Sequence, residues 1–458
     1  MVHVWRCPRT ARKNRTGRGN EVIREALVLA CTSDIAGKVR GKAFSEQDLD
    51  KRLQRGIGWT PTNVQITCFD AIADSPFGAL GDLVLIPDPA TLVTAEFEDE
   101  KPAERFVFGD ILQTSGEAWQ CCTRSILKAA LARFEAKTGL QLLGAFEHEF
   151  HLKGVSAPHG RAYTAAGFRD QREMGETLTA LLRRAGLEPD TFMKEYGVDQ
   201  YEVTVSPSQG VTIADQAAIL RELVYITAEH LDQRASFTPL RDPAGVGNGV
   251  HIHMSFRDAE GNAATYDPNG THGLNRVAGQ FIAGVLKYLD RILAITAPSV
   301  VSYTRLTPHR WSAAYNNLGF RDREASVRIC PTSDVSDIAK RDQFNFEFRA
   351  ADSAASPYLA LAAIVHAGTQ GIDEGLDCPA ATEEDLSLLS TEELTSRGYL
   401  RLPQTLEAAL ENFGSDPIVT EWFPDDFVDV YLRHKKGEIA FLEGKTEAEI
   451  CAAYEETY

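Results

Sequence analysis

The chain has 458 residues, 43% of them hydrophobic, which is long for one core and enough to fill two, so two globular domains are expected. A formal net charge of −18 speaks against nucleic acid and anionic membrane as partners, because both attract a positive surface. No apolar run reaches a membrane span, nothing near the start resembles a signal peptide, and eight cysteines lack CxxC spacing, so a cytoplasmic chain without disulfide framework or zinc site is expected.

Residues 1–20 carry Arg6, Arg9, Arg12, Lys13, Arg15 and Arg18 and no acid, which predicts a disordered basic tail; a targeting segment would need an apolar face that is missing. From 21 to about 115, short apolar runs and turns predict a small strand-rich domain. Strands are expected at 26–31, 64–69 and 82–86, the last stopped by Pro87-Asp88-Pro89, with a turn region at 37–41. The remainder, 116–458, alternates strands with long helices. Residues 124–134 show helical spacing (Ile126, Leu127, Ala130, Leu131, Phe134) closed by Gly139. Helices are also expected over 214–231, over 275–295, and from Ser356-Pro357, an N-cap followed by proline at the first helical position. The acidic, Ser/Thr-rich segment 371–396 reads as a surface stretch. Neither GxxxxGK[ST] nor GxGxxG occurs.

The chemistry concentrates in strands. In residues 144–152, alternation at period two puts Glu147, Glu149 and His151 on one face and Phe146, His148, Phe150 and Leu152 on the other. A solvated face is the plain reading, but a folded protein keeps paired carboxylates inside only when a cation or arginines neutralise them. Three further stretches add groups of the same kind. A turn from Glu195 leads into a β-branched strand holding Glu202; a glycine-rich approach at Gly247 and Gly249 precedes a strand with His251, His253 and Ser255 on one face; Glu347 and Arg349 share the polar side of an aromatic strand. Between the last two lie Arg305, Arg310, Arg321, Arg323 and Arg328. Strands aiming acids, imidazole and guanidinium to one side suit a polyanion held by metal.

These blocks resemble, in order and from about residue 21 to 440, the glutamine synthetase family. The matching pieces are Leu83 to Pro89, Arg124 to Lys128, Gly144 to Leu152, Glu195 to Glu202, Gly247 to Ser255, Ser302-Tyr-Thr-Arg-Leu-Thr-Pro308 and Glu347 to Leu361. The resemblance implies an α+β protein: an N-terminal β-grasp domain (21–115) and a catalytic domain (116–458) whose antiparallel strands line a funnel, in a homo-oligomer, a dodecamer built from two hexameric rings. It implies one divalent metal at Glu149, Glu195 and Glu202 and a second at Glu147, His251 and Glu347, two or three Mg²⁺ or Mn²⁺ per site, with ATP as co-substrate. It gives Gly247, Arg305 and Arg349 to glutamate and the γ-carboxyl phosphate, Arg323 to the transferring phosphoryl group, Glu347 to metal and catalysis, and His253, Ser255, Arg328 and Arg341 to the nucleotide.

Two departures bear on the second substrate. Six positions past Arg305, where ammonia-using relatives place an acid in a flap, this chain has Trp311. The loop that supplies an Asp-Gly-Ser-Ser ammonium site reads Thr67 to Ser75 without a clear counterpart. An indole cannot counter the charge of NH₄⁺ as a carboxylate does, but it can wall a pocket for a larger amine. The reading is therefore a ligase joining glutamate to an organic amine, resembling the γ-glutamylamine branch. Two alternatives stand beside it: plain glutamine synthetase, with Asp70 or Asp74 replacing the missing acid, and a non-catalytic homologue. A third departure is Asp342 and Asn345 where the family often has Lys and Arg, with Lys340 or Arg341 as substitutes.

Overall fold

The structure is a computed structural model that describes residues 24–99, 101–155, 159–335 and 337–458; the basic tail expected at 1–20 lies outside them. The first sheet is built from β1 (Leu27–Ser33), β2 (Val39–Ser45), β3 (Ile57–Trp59), β4 (Leu83–Pro87), β5 (Val93–Ala95) and β6 (Glu104–Gln113), with α1 (Leu49–Arg55) between β2 and β3. Its order is β2-β1-β6-β4-β3, with β1 and β6 parallel and the other neighbours antiparallel. That is the β-grasp arrangement. The helix α2 (Thr123–Thr138) follows and ends at Gly139 in the left-handed conformation, as the sequence spacing predicts.

The second sheet takes β7 (Gln141–Lys153), and then, after α3 (Ala165–Asp170) and α4 (Arg172–Arg184), β8 (Pro189–Lys194), β9 (Gln200–Val205) and the short β10 (Ser208–Gln209). Next come α5 (Thr212–His230), β11 (Arg234–Ser236), β12 (Val250–Arg257), α6 (Arg276–Lys287), α7 (Leu289–Thr296) and α8 (Ser302–Arg305). The set closes with β13 (Leu318–Phe320), β14 (Val327–Ile329), α9 (Lys340–Gln343), β15 (Phe346–Phe348), α10 (Pro357–Glu374) and β16 (Ala381–Thr382). The strand order is β16-β13-β14-β15-β12-β7-β9-β8. One face of β7 packs on the core through the buried Phe146, His148, Phe150 and Leu152, leaving its carboxylates on the other face. The apolar helix α10 packs against α2 and α6, which closes the core behind the sheet. Among the described residues no helix is long and apolar enough to cross a membrane.

Local expectations fail where periodicity is a poor guide. Residues 61–65 form a 3₁₀ turn and not the start of a strand, because Pro61 sits at its first position with φ preset for a turn; the β-branched Val64 is buried there all the same. The turn near 37 is shorter than expected, since β2 already begins at Val39. The stretch 275–295 is two helices that part at Tyr288 (φ −100°, ψ 6°), whose hydroxyl reaches Glu374 on α10. Residues 371–374 belong to the buried helix α10, which extends to its left-handed cap at Gly375; the surface stretch begins only beyond it. The sheet is antiparallel through its centre but turns parallel at the β14-β13-β16 edge.

Candidate active site

Register brings the sequence-predicted groups together. His251 on β12 faces Glu147 on β7, Glu149 on β7 faces Glu202 on β9, and Glu347 on β15 faces both His253 on β12 and Arg328 on β14. Because side chains alternate, each of these pairs lies on the face of the sheet away from the core. Glu195 joins them from the turn after β8, where it accepts the Tyr163 hydroxyl (2.6 Å) and the Tyr196 N–H (2.9 Å).

Two like charges placed directly opposite on β7 and β9 are unfavourable, and burial makes them more so. Glu202 is 3% exposed, and burial followed by Glu147, Glu149 and Glu195 pushes its carboxyl up to about 11; its Oε1 has no partner among the described residues. Burial likewise raises Glu149, partly relieved by His251 and the Gly249 N–H, which donates to Oε2 at 2.7 Å. Glu147 and Glu347 behave oppositely. Burial works against their charge, but histidine hydrogen bonds outweigh it and hold both below the usual range, with Arg349 aiding Glu347. One ligand atom from each of Glu147, His251 and Glu347 lies within 4.8 Å of the others. Oxygen donors with one imidazole, and a buried carboxylate left without counter-charge, fit Mg²⁺ or Mn²⁺ held by Glu147, Glu149, Glu195, Glu202, His251 and Glu347.

The arginines divide into two groups. Arg349, 4% exposed, donates from Nη1 to Glu347 Oε1 (2.7 Å), from Nε to the Arg323 carbonyl (3.0 Å) and from Nη2 to the Trp311 carbonyl (3.4 Å). Arg328 lies 2.7 Å from the same Glu347 oxygen as an ion contact, with its Nε–H not aligned as a hydrogen bond. Arg305 is buried and crosses directly over Gly247: a Cβ there would meet Arg305 Cδ and the Pro239 carbonyl at 2.5 Å each, so this position admits only glycine without displacement. Arg323, by contrast, is exposed and lines a cavity of about 540 Å³ together with Trp311, Arg321 and Glu324. The structure places Arg323 at the rim and not within the carboxylate cluster.

The segment 308–311 is held from three sides. His309 and Trp311 have positive φ (62° and 53°), and the N–H groups of both donate to the Glu324 carboxylate at 3.1 Å. Arg310 donates to the carbonyls of Pro243 and Gly245, tying this loop to the one that carries Gly247. The Trp311 ring is 61% exposed and lies 6.1 Å from that of Tyr196, itself 63% exposed. Asp70 and Asp74 are each engaged by an arginine of the same chain, Arg40 and Arg433 respectively.

A second cavity, of about 600 Å³, is lined by Glu147, Glu202, His253, Ser255, Arg257 and Asn345 among others. Arg341 is not one of its lining residues; it is exposed on α9, 3.8 Å from Asp342. Arg257, which pairs with Asp342 at 3.8 Å, is the basic group at this wall. Sequence reasoning missed it, although two residues past Ser255 on one strand was signal enough. It also missed Glu324, for which no sequence signal exists, and the role of Gln200, whose amide donates to Glu149 (3.3 Å), the Gly247 carbonyl (2.9 Å) and Asn248 (3.0 Å).

Comparison with known proteins matches residues 120–454 to the glutamine synthetase catalytic domain and residues 15–119 to the glutamine synthetase N-terminal domain. The chain is 30% identical over 441 residues to the gamma-glutamylpolyamine synthetase GlnA3 of Streptomyces coelicolor, covering 93% of this chain and 92% of that one. It is 28% identical over 446 residues to type-1 glutamine synthetase 1 of Dictyostelium discoideum, covering 91% and 86%. A crystal structure described as a novel glutamine synthase homolog superposes with a TM-score of 0.88 at 37% identity, covering 96% of this chain and 100% of that one. A GmaS/ADP complex shares the fold, with a TM-score of 0.78 at 24% identity over 92% and 95%. With residues 15–454 matched by the two family domains in succession, and the carboxylate cluster lying on adjacent strands of the catalytic sheet, the chain belongs to the glutamine synthetase family.

Proposed function

We propose that this ligase phosphorylates the γ-carboxylate of glutamate with ATP and joins the activated carbonyl to an organic amine, giving a γ-glutamylamide. The observation that carries the choice of acceptor is Trp311: an exposed indole facing Tyr196 stands in the loop where an acid would serve ammonium. Asp70 and Asp74, the acids that could replace it, are both occupied by arginines. The GlnA3 likeness supports an amine larger than ammonia.

Glu149, Glu195 and Glu202 would hold one divalent cation and Glu147, His251 and Glu347 another. Bound Mg²⁺ or Mn²⁺ offsets the charge on the phosphate oxygens. The chain's own groups do the rest. Arg305 and Gly247 orient glutamate, Gly247 by letting the Arg305 side chain lie directly across its backbone. Arg349, fixed by Glu347 and two carbonyls, presents a preorganised positive edge to the γ-carboxyl. Arg323, at the rim, is the guanidinium left for the transferring phosphoryl group, and His253, Ser255, Arg328 and Arg257 flank the nucleotide. Trp311 and Tyr196 give the amine's carbon body an apolar wall.

Ammonium, methylamine, isopropylamine, aniline, ethanolamine and putrescine are to be compared at saturating glutamate and ATP. An organic amine is expected to have the highest kcat/KM, with the ranking altered in Trp311→Ala. Ammonium ranking first, with the order unchanged in the variant, replaces this reading by ordinary glutamine synthetase. Absence of glutamate-dependent phosphate release with every amine, together with a Glu147→Ala protein indistinguishable from wild type, assigns the chain a non-catalytic role.

The active form on this reading is a ring-shaped homo-oligomer, twelve subunits in two hexameric rings. The exposed Ile72 and Leu80 of the small domain are apolar surface suited to burial against a neighbour. A light-scattering mass of one chain with full activity would overturn it.

A further inference from the structure

The loop that carries Trp311 hangs on one half-buried carboxylate. Glu324, between β13 and β14, accepts the His309 N–H on Oε2 and the Trp311 N–H on Oε1, each at 3.1 Å. His309 and Trp311 both lie in the left-handed region (φ 62° and 53°), which residues other than glycine seldom occupy, and two of them so close together persist only where outside partners hold them. Glu324 is itself fixed: its N–H donates to Asp322 Oδ1 at 2.8 Å, and Asp322 Oδ2 accepts from Asn317 and Thr382. Other groups of the same loop reach the two buried arginines. The Trp311 carbonyl accepts from Arg349 Nη2 at 3.4 Å, and the Ser312 hydroxyl donates to the Arg305 carbonyl at 2.7 Å. The Trp311 ring is 61% exposed, so its place against Tyr196 is set by these backbone bonds and not by packing.

We propose that Glu324 is the positioning residue that sets the amine preference: its carboxylate holds the backbone of residues 309–311 and through it keeps the Trp311 indole in place as a wall of the acceptor site. It acts through Trp311 and touches no substrate, and the inference rests on the reading of Trp311 as that wall. A carboxylate is the group required, because the two N–H groups reach two different oxygens; an amide offers one acceptor and turns its NH₂ toward the other N–H. Loss of one bond leaves a donor unpaired in a strained loop, which relaxes toward negative φ and carries the indole away from Tyr196. Arg349 keeps its bonds to Glu347 and to the Arg323 carbonyl, so the grip on the γ-carboxyl outlasts the wall. The amine is therefore the substrate that senses Glu324, and ATP is not.

The test compares Glu324→Gln and Glu324→Ala, alone and combined with Trp311→Ala, in the full-length enzyme with the amine panel. Glu324→Gln should raise the KM of the preferred amine about tenfold, with kcat and the KM for ATP within about twofold of wild type, and should shift the ranking of amines toward that of Trp311→Ala. Glu324→Ala should go further in the same direction. In the Trp311→Ala background Glu324→Gln should add no further change, because it acts through the ring. Acrylamide quenching gives a readout apart from catalysis: the part of the tryptophan emission that is lost in Trp311→Phe should be quenched more readily in Glu324→Gln than in wild type. An amine KM and ranking unchanged in Glu324→Gln, an effect that adds in full to that of Trp311→Ala, or a Trp311 emission no more accessible than before, with an organic amine still ranked first, overturns the role of Glu324 alone. Ammonium ranking first, with the order unaltered in Trp311→Ala, overturns the acceptor reading and the preference drawn from it. Thermal melts establish that each variant compared is folded.

Discussion

At the scale of single residues the site is governed by what each side chain must tolerate. Gly247→Ala would drive a methyl group into Arg305 Cδ and the Pro239 carbonyl, both at 2.5 Å. Because one contact is backbone, the flexible arginine yields, at about 1 to 3 kcal/mol. The expected outcome is roughly a tenfold or greater fall in kcat/KM for glutamate, with the KM for ATP little changed, measured by steady-state kinetics. Glu202→Gln removes a donor whose surroundings are carboxylates. Wild type should gain about 2 to 3 kcal/mol of stability at a metal concentration one hundred times the dissociation constant, and the variant much less, read from denaturant melts with and without Mg²⁺ or Mn²⁺. The carboxylates and imidazoles that the sheet register brings together were legible in the sequence because period-two alternation and acidic content coincide on single strands. Glu324 was not legible. Its function is to receive two N–H groups from a loop 13 to 15 positions earlier, which only the folded backbone reveals.

At the scale of elements, α10 shows how a helix can carry a pH dependence far from any chemistry. Its His366 is buried beside Trp422 and Phe423, with Arg133 of α2 at 3.4 Å, and burial followed by that guanidinium lowers its pKa to about 3. The group is neutral in the folded state, whereas an unfolded histidine takes a proton near pH 6.5. Its contribution to stability is therefore complete above about pH 6.5 and is lost as pH falls toward 3. Between pH 7.5 and 5 the loss is on the order of 2 kcal/mol, and urea melts of His366→Gln should show a correspondingly flatter slope over that window. The same helix marks how far sequence reasoning reaches. Its start at Ser356-Pro357 is encoded locally, but the composition of its last turn predicts surface, whereas Gly371 is inside for a reason that lies elsewhere: a close approach to Gly284 of α6, where a Cβ would sit 2.5 Å from that residue's Cα. The break at Tyr288 escaped for a similar reason, since a hydroxyl contact 86 residues away lies outside any local window.

At the scale of the whole molecule, one buried guanidinium joins the first sheet to the helices α2 and α5. Arg124 on α2 is 1% exposed and donates to both oxygens of Asp215 on α5 at 2.9 Å, to Asp110 on β6 at 3.0 Å and to Asp88, just past β4, at 2.8 Å. Tyr358 of α10 completes the set with a hydrogen bond to Asp215. Replacing Arg124 by methionine leaves three carboxylates facing a buried void of charge, an expected cost of about 3 to 5 kcal/mol. The small domain should then loosen first, so that limited proteolysis cuts between residues 88 and 123 in the variant under conditions that leave wild type intact. The resemblance to the family marks the block from Arg124 to Lys128 and, within Leu83 to Pro89, the partner Asp88, but not Asp110 or Asp215, which lie 22 and 127 positions beyond Asp88.

The cross-strand pair Glu149 and Glu202 has a further consequence, in time. The four strands that carry the ligand groups span residues 141 to 348, and contacts so distant along the chain close late in folding. A cation that needs all of them has little to hold in the transition state, so its contribution falls almost wholly on the rate of leaving the native state. Excess Mg²⁺ should therefore lengthen the half-life of thermal inactivation while refolding rates stay nearly constant. Where a long chain unfolds irreversibly, that half-life is the measure of durability that counts.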